Sequence, residues 1–135
     1  PELDLFGQDL RRIADQRIRN YERIRRALST RAKALGITLL RGKPGGAVPQ
    51  TFPILLPDTR LRDRLYFQLN AEGYGVVSLY HELVQEIDAS FDVERDISGR
   101  ILNLPVHQDA GGRDLDRLLQ RMAALIRDHR REVGR

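Results

Sequence analysis

The sequence predicts an α/β domain of the α+β kind: a small, mainly antiparallel sheet of three to four strands, covered by helices on one side and preceded by a long N-terminal helix. Three observations predict it. Long stretches near both ends repeat apolar residues at the helical period, short apolar runs between them are bounded by Gly and Pro, and no internal repeat divides the chain. With 135 residues, 41% hydrophobic and 31% charged, the chain can bury one core, so residues 1–135 read as a single domain.

From Leu10 to Leu35 the residues Leu10, Ile13, Ala14, Tyr21, Ile24, Leu28 and Leu35 fall on one side of a helical wheel. Arg12, Arg19, Arg23 and Arg26 fall on the other. Asp15 with Arg19 and Glu22 with Arg26 stand in the favourable acid-first i, i+4 order, so part of that charge is expected to pair along the helix. After Gly36, ITLL suits a short strand and RGKPGGAVPQ a loop. TFPILLP is an apolar run whose Pro53 lacks a donor, which predicts an edge strand or a bulge. A helix then opens at Asp58 or Thr59, carries Leu61, Leu65 and Leu69 on its inner face, and stops at Gly73. YGVVSLYHELV predicts a strand with Val76, Ser78 and Tyr80 on one face and Val77, Leu79 and His81 on the other. A polar connection with a short helix around Asp92–Ile97 leads to the strand RILNLPV. The last helix is the plainest, with Leu115, Leu118, Leu119, Met122, Leu125 and Ile126 along one stripe.

Several functions are excluded by what the chain lacks. Without cysteine there is neither a disulfide framework nor a thiolate metal site. No apolar run reaches membrane length and the N-terminus has no signal-peptide anatomy, so a cytoplasmic location is expected. Gly42-Lys43 is not a phosphate loop, because no Ser or Thr follows the lysine. The net charge of +4 raises the question of nucleic acid, yet no aromatic platform interleaves the arginines of the first helix, which favours a solvated face. No acid pair, no metal-spaced histidines and no Ser/His/Asp set appears, so catalysis by this chain alone is not expected.

Four pieces carry a resemblance: QRIRNYERI, VPQTFPILLPD, EGYGVVSLYHEL and ILNLPVHQDAGGRDLDRLLQRM. In order and spacing they resemble the C-terminal domain of the DegT/DnrJ/StrS sugar aminotransferases, whose last strand reads Leu-Pro-aliphatic-His before a polar turn and a terminal helix. Here Leu104, Pro105, Val106, His107 and Gln108 occupy those places. The resemblance implies a fold type I enzyme that uses pyridoxal phosphate to move an amino group from glutamate or glutamine onto a nucleotide-linked keto sugar. It also implies that the cofactor lysine, the pyridinium-pairing aspartate and the phosphate-holding residues lie in a larger N-terminal domain absent from this chain. Lys33 and Lys43 are the only lysines, and neither position suggests the desolvated pocket a Schiff-base lysine needs. Pyridoxal phosphate is therefore expected in the parent enzyme and not on this chain alone.

By the same resemblance the ends of the second and third strands face the cleft between small and large domains, which makes Tyr80, His81, His107 and Gln108 the substrate-cleft candidates. The simpler alternative is that His107 and Gln108 bond the following turn and that Tyr80 is sheet packing. The expected partners are the large domain of the same enzyme, a second copy as a homodimer and a nucleotide-sugar substrate. Against this stands a second function, a non-catalytic interaction module that uses the basic helix face to bind an acidic partner or nucleic acid.

Overall fold

The computed structural model describes residues 9–40, 45–79 and 90–134. Its elements run α1 (Leu10–Ser29), α2 (Ala32–Leu35), β1 (Thr38–Leu39), β2 (Thr51–Leu55), α3 (Thr59–Ala71), α4 (Asp92–Arg100), β3 (Ile101–Pro105) and α5 (Gly112–Val133). The fold is mixed α/β, with a three-stranded antiparallel sheet in the order β1-β2-β3 among the described residues. No helix among the described residues is long and apolar enough to cross a membrane.

The helix ends follow from side-chain chemistry. Asp9 accepts a bond from the Arg12 amide at 2.9 Å and Asp58 from the Leu61 amide at 2.8 Å, so each carboxylate satisfies an amide of the first turn. Gly73, at φ +82°, ends α3, with its amide bonded to Asn70 O and the next amide, of Tyr74, reaching back to Leu69 O. The predicted continuous helix from Leu10 to Leu35 is instead broken. Ser29 Oγ donates to Arg26 O, Ser29-Thr30 favours turning, and the chain restarts as the single turn α2 before Gly36 at φ +62°. Arg130 of α5 donates to Ala34 O at 2.7 Å and so caps that turn from outside.

One face of the sheet, with Phe52 and Ile54 of β2 opposite Leu104 and Leu102 of β3, joins the apolar sides of α1, α3 and α5 in the core. Tyr21 of α1 meets Phe52 with ring centroids 4.7 Å apart. On the reverse face Thr51 Oγ1 donates to Asn103 Oδ1 at 3.0 Å. All six stripe residues of α5 are buried, and so are Leu61, Leu65 and Leu69 of α3.

Two strand expectations need correction. Pro53 does not mark an edge, because β2 is the central strand. Asn103, its partner on β3, exchanges both backbone bonds with Val77 on the other side, at 3.0 and 2.7 Å. Pro53 therefore sits at a non-bonded pair with β3, and its nitrogen faces the β1 side beyond the last β1 pair, Leu39 with Ile54. No ladder bond is lost. The segment YGVV is likewise not a strand but a single bridge, Val77 to Asn103. Its predicted alternation survives, with Val76 and Ser78 buried and Val77 exposed. Ser78 is held by the buried Arg62, whose Nη1 lies 2.5 Å from Ser78 Oγ. The short helix expected around Asp92–Ile97 extends to Arg100 and runs directly into β3.

Candidate functional site

The turn after β3 is built around a buried amide. Asn20, 3% exposed on α1, points Nδ2 at three carbonyls of the turn: His107 O at 2.9 Å, Ala110 O at 3.1 Å and Val106 O at 3.4 Å. A backbone bond from the Ala110 amide to His107 O, 3.1 Å, closes the turn itself. Buried carbonyls left unpaired would cost stability, so this one side chain fixes where the chain goes after the strand. Asn20 lies four residues before Ile24 and eight before Leu28, and the apolar stripe of α1 therefore carries it inward.

The polar side chains of the turn are held from the same helix. Arg17 Nε donates to Gln108 Oε1 at 3.1 Å, and Gln108 Nε2 donates to Asp109 Oδ2 at 3.2 Å. Gln108 is thus bound both to α1 and to the turn. The His107 side chain is half exposed, with Nδ1 3.9 Å from Asp109 Oδ2. It borders a cleft of about 210 Å³ with Tyr74, Pro105, Asp109, Asp114 and Leu118. That cleft presents one imidazole, two carboxylates and an aromatic ring above an apolar floor. The other two cleft candidates, Tyr80 and His81, lie outside the described residues, as does Lys43.

Sequence reasoning missed Asn20 and Arg17. The signal was present, since a polar residue at stripe spacing is a buried polar group that needs a partner. A further network continues outward, with Gln16 Nε2 donating to Asn20 Oδ1 at 2.9 Å and Arg19 donating to Gln16 Oε1 at 2.8 and 3.3 Å. The expected pairs Asp15–Arg19 and Glu22–Arg26 do not form. Arg19 turns to Gln16, and the Glu22 carboxylate takes Arg25 at 2.9 Å. Arg23 crosses to α5 and binds Asp116 through two bonds of 3.0 and 2.6 Å. The hydrogen bond from Arg23 holds the Asp116 carboxyl below the usual carboxylate range. Among the described residues no cluster of three or more His, Asp or Glu is arranged for a metal.

No protein-family model matches the sequence, and no curated protein matches it either. Solved structures do match. The aminotransferase TlmJ from Streptoalloteichus hindustanus superposes with a TM-score of 0.73 at 21% identity, over 88% of this chain and 33% of that one. Spr1654 from Streptococcus pneumoniae, assigned as a sugar aminotransferase and seen in its PMP form, gives 0.71 at 9% identity, over 91% and 33%. A DegT DnrJ EryC1 StrS aminotransferase from Brucella abortus gives 0.60 at 22% identity, over 87% and 31%. At these identities the likeness establishes the fold. The chain has the fold of one part of a sugar aminotransferase, and it spans about a third of the length of each of these proteins.

Proposed function

We propose that the chain is the small, C-terminal domain of a pyridoxal-phosphate-dependent aminotransferase that acts on a nucleotide-linked keto sugar. One observation carries this reading: nearly the whole chain superposes on a third of each of three aminotransferases, and its motifs follow the order seen in that group. In this role it contributes one wall of the substrate cleft and part of the assembly of a homodimer. His107 and Gln108, fixed by Asn20 and Arg17, are the described residues offered to that cleft, and Tyr80 and His81 are proposed for it by resemblance alone.

The cofactor belongs to the large domain in this reading. Lys33 is exposed on the single turn α2, outside any desolvated pocket of the kind a Schiff-base lysine requires. In this reading the described residues shape the substrate cleft and leave the cofactor to the large domain. The test uses the full reading frame that encodes this chain. Its product, purified with cofactor, should carry a borohydride-reducible adduct on a lysine outside the 135 residues and should aminate a nucleotide-linked keto sugar at the expense of glutamate or glutamine. The 135-residue chain alone should do neither. A reading frame without a lysine-bearing large domain, or a stoichiometric adduct on Lys33 or Lys43, overturns the proposal.

A further inference from the structure

The unpaired arginines of α1 lie along a groove. Between α1 and the first turns of α5 runs an open channel of about 690 Å³, bordered by Gln16, Arg19, Arg23, Arg26, Gly112 and Asp116. Three guanidinium groups face it and one carboxylate, Asp116, answers them. Because Asp15 and Glu22 do not pair with Arg19 and Arg26, those two charges have no carboxylate partner among the described residues. Among the described residues no carboxylate offsets their mutual repulsion, which leaves that part to solvent or to an anion.

Two of the three groups are already held in place. Arg23 is anchored by Asp116, at 2.6 and 3.0 Å. Arg19 is oriented by a chain of bonds that begins in the interior: the turn carbonyls hold Asn20, Asn20 holds Gln16, and Gln16 Oε1 receives Nε and Nη2 of Arg19. Arg19 thus keeps its Nη1 side for another acceptor. Gly112 leaves room beneath Arg23, since a Cβ there would stand 3.1 Å from its guanidinium. Arg19 and Arg26 are seven residues apart, about 10 Å along the helix axis. Planar forks at that spacing suit an anion with several oxygens on adjacent centres better than a single carboxylate.

We propose that this groove binds linked phosphate groups carried by a small molecule, with Arg19 and Arg26 gripping the phosphate oxygens and Arg23 forming the fixed wall. Among the described residues no aromatic side chain borders the groove, which therefore offers there no stacking surface of the kind used for single-stranded nucleic acid. The inference is independent of the aminotransferase reading, because it concerns this chain without cofactor or large domain.

Calorimetric titration of the 135-residue chain with inorganic pyrophosphate, at fixed ionic strength, is the test. Pyrophosphate should bind at one site, about tenfold or more tightly than orthophosphate, as charge-assisted bonds to both phosphates require. Parallel titration with adenosine diphosphate separates the sources: equal affinity points to a free polyphosphate, and tighter binding to a nucleotide. R19Q/R26Q should weaken pyrophosphate about tenfold or more, whereas R60Q/R127Q, which removes the same charge from elsewhere on the surface, should change it by less than about twofold. Circular dichroism establishes that both variants are folded, and nuclear magnetic resonance shifts should centre on Arg19, Arg23 and Gly112. Equal loss in the two double variants, absence of binding, or preferential capture of an acidic peptide or an oligonucleotide overturns the assignment.

Discussion

The two long helices, α1 and α5, each carry an apolar stripe, yet they are buried very differently. Along α5 the stripe is covered from Leu115 to Ile126, because α1, α2 and α3 all pack against it. Along α1 the stripe is fully covered in the second half, at Tyr21, Ile24 and Leu28, while Leu10 remains 68% exposed and Ile13 and Ala14 are half-buried. The difference shows that an apolar face states a capacity for burial, and what stands opposite decides whether that capacity is used. In the second half of α1 the opposite wall is Phe52 of the sheet and the start of α5. In the first half the described residues offer the polar turn at Gln108 instead.

Substitutions should divide α1 at that boundary. Ile24→Ala is expected to produce the largest effect, a loss of about 2–5 kcal/mol through lost transfer energy and an unfilled cavity, while Leu10→Ala should stay within about 0.5 kcal/mol. Denaturant unfolding of the two variants checks the contrast, and equal losses would mean that the first half of the stripe is covered after all. Asn20→Ala comes next, at about 1–3 kcal/mol, since it leaves turn carbonyls without their donor. Its signature beyond stability is local: amide exchange at Ala110 should accelerate more than at Leu102, and a uniform change would show that Asn20 does not govern the turn.

A smaller effect depends on pH and concerns the link between the two helices. The folded Asp116 carboxyl is held below its ordinary range by the hydrogen bond from Arg23. Its contribution is therefore present above the unfolded pKa, about 4, and is lost as pH falls through the lower folded value. Thermal unfolding between pH 6 and pH 3 should fall more steeply for the parent chain than for Asp116→Asn, with the two curves converging at the acid end. The pair is half exposed, so the separation at neutral pH should be small. Parallel curves would remove Asp116 as a contributor.

Where one principle acts alone, the sequence is a sufficient guide. The stripe of α5, the cap at Asp58 and the stop at Gly73 each rest on local spacing and reappear in the fold unchanged. Competing local signals were harder to resolve. Between Leu28 and Leu35 the apolar spacing continues, but Ser29 bonds back to Arg26 and the helix breaks. Charge spacing did not decide the partners of Arg19 and Glu22, because Gln16 and Arg25, three residues away, took them instead. In the turn after β3, the place of His107 and Gln108 is legible from the strand before them and the burial of Asn20 from its stripe spacing, whereas the partners of Asn20 and Arg17 lie some ninety residues away and no local pattern names them. Pro53 was misread for a related reason, since the direction its nitrogen faces is set by the pairing of Asn103 with Val77.

That proline also limits how the sheet can grow. On the β1 side the next pairing position after Leu39 meets Pro53, which offers a carbonyl but no amide. A strand from another molecule that tried to align along this border would find two paired positions occupied by β1 and then a missing donor. The central strand so guards its own flank, and the short β1 is enough to close it against the edge-to-edge association that longer open strands invite.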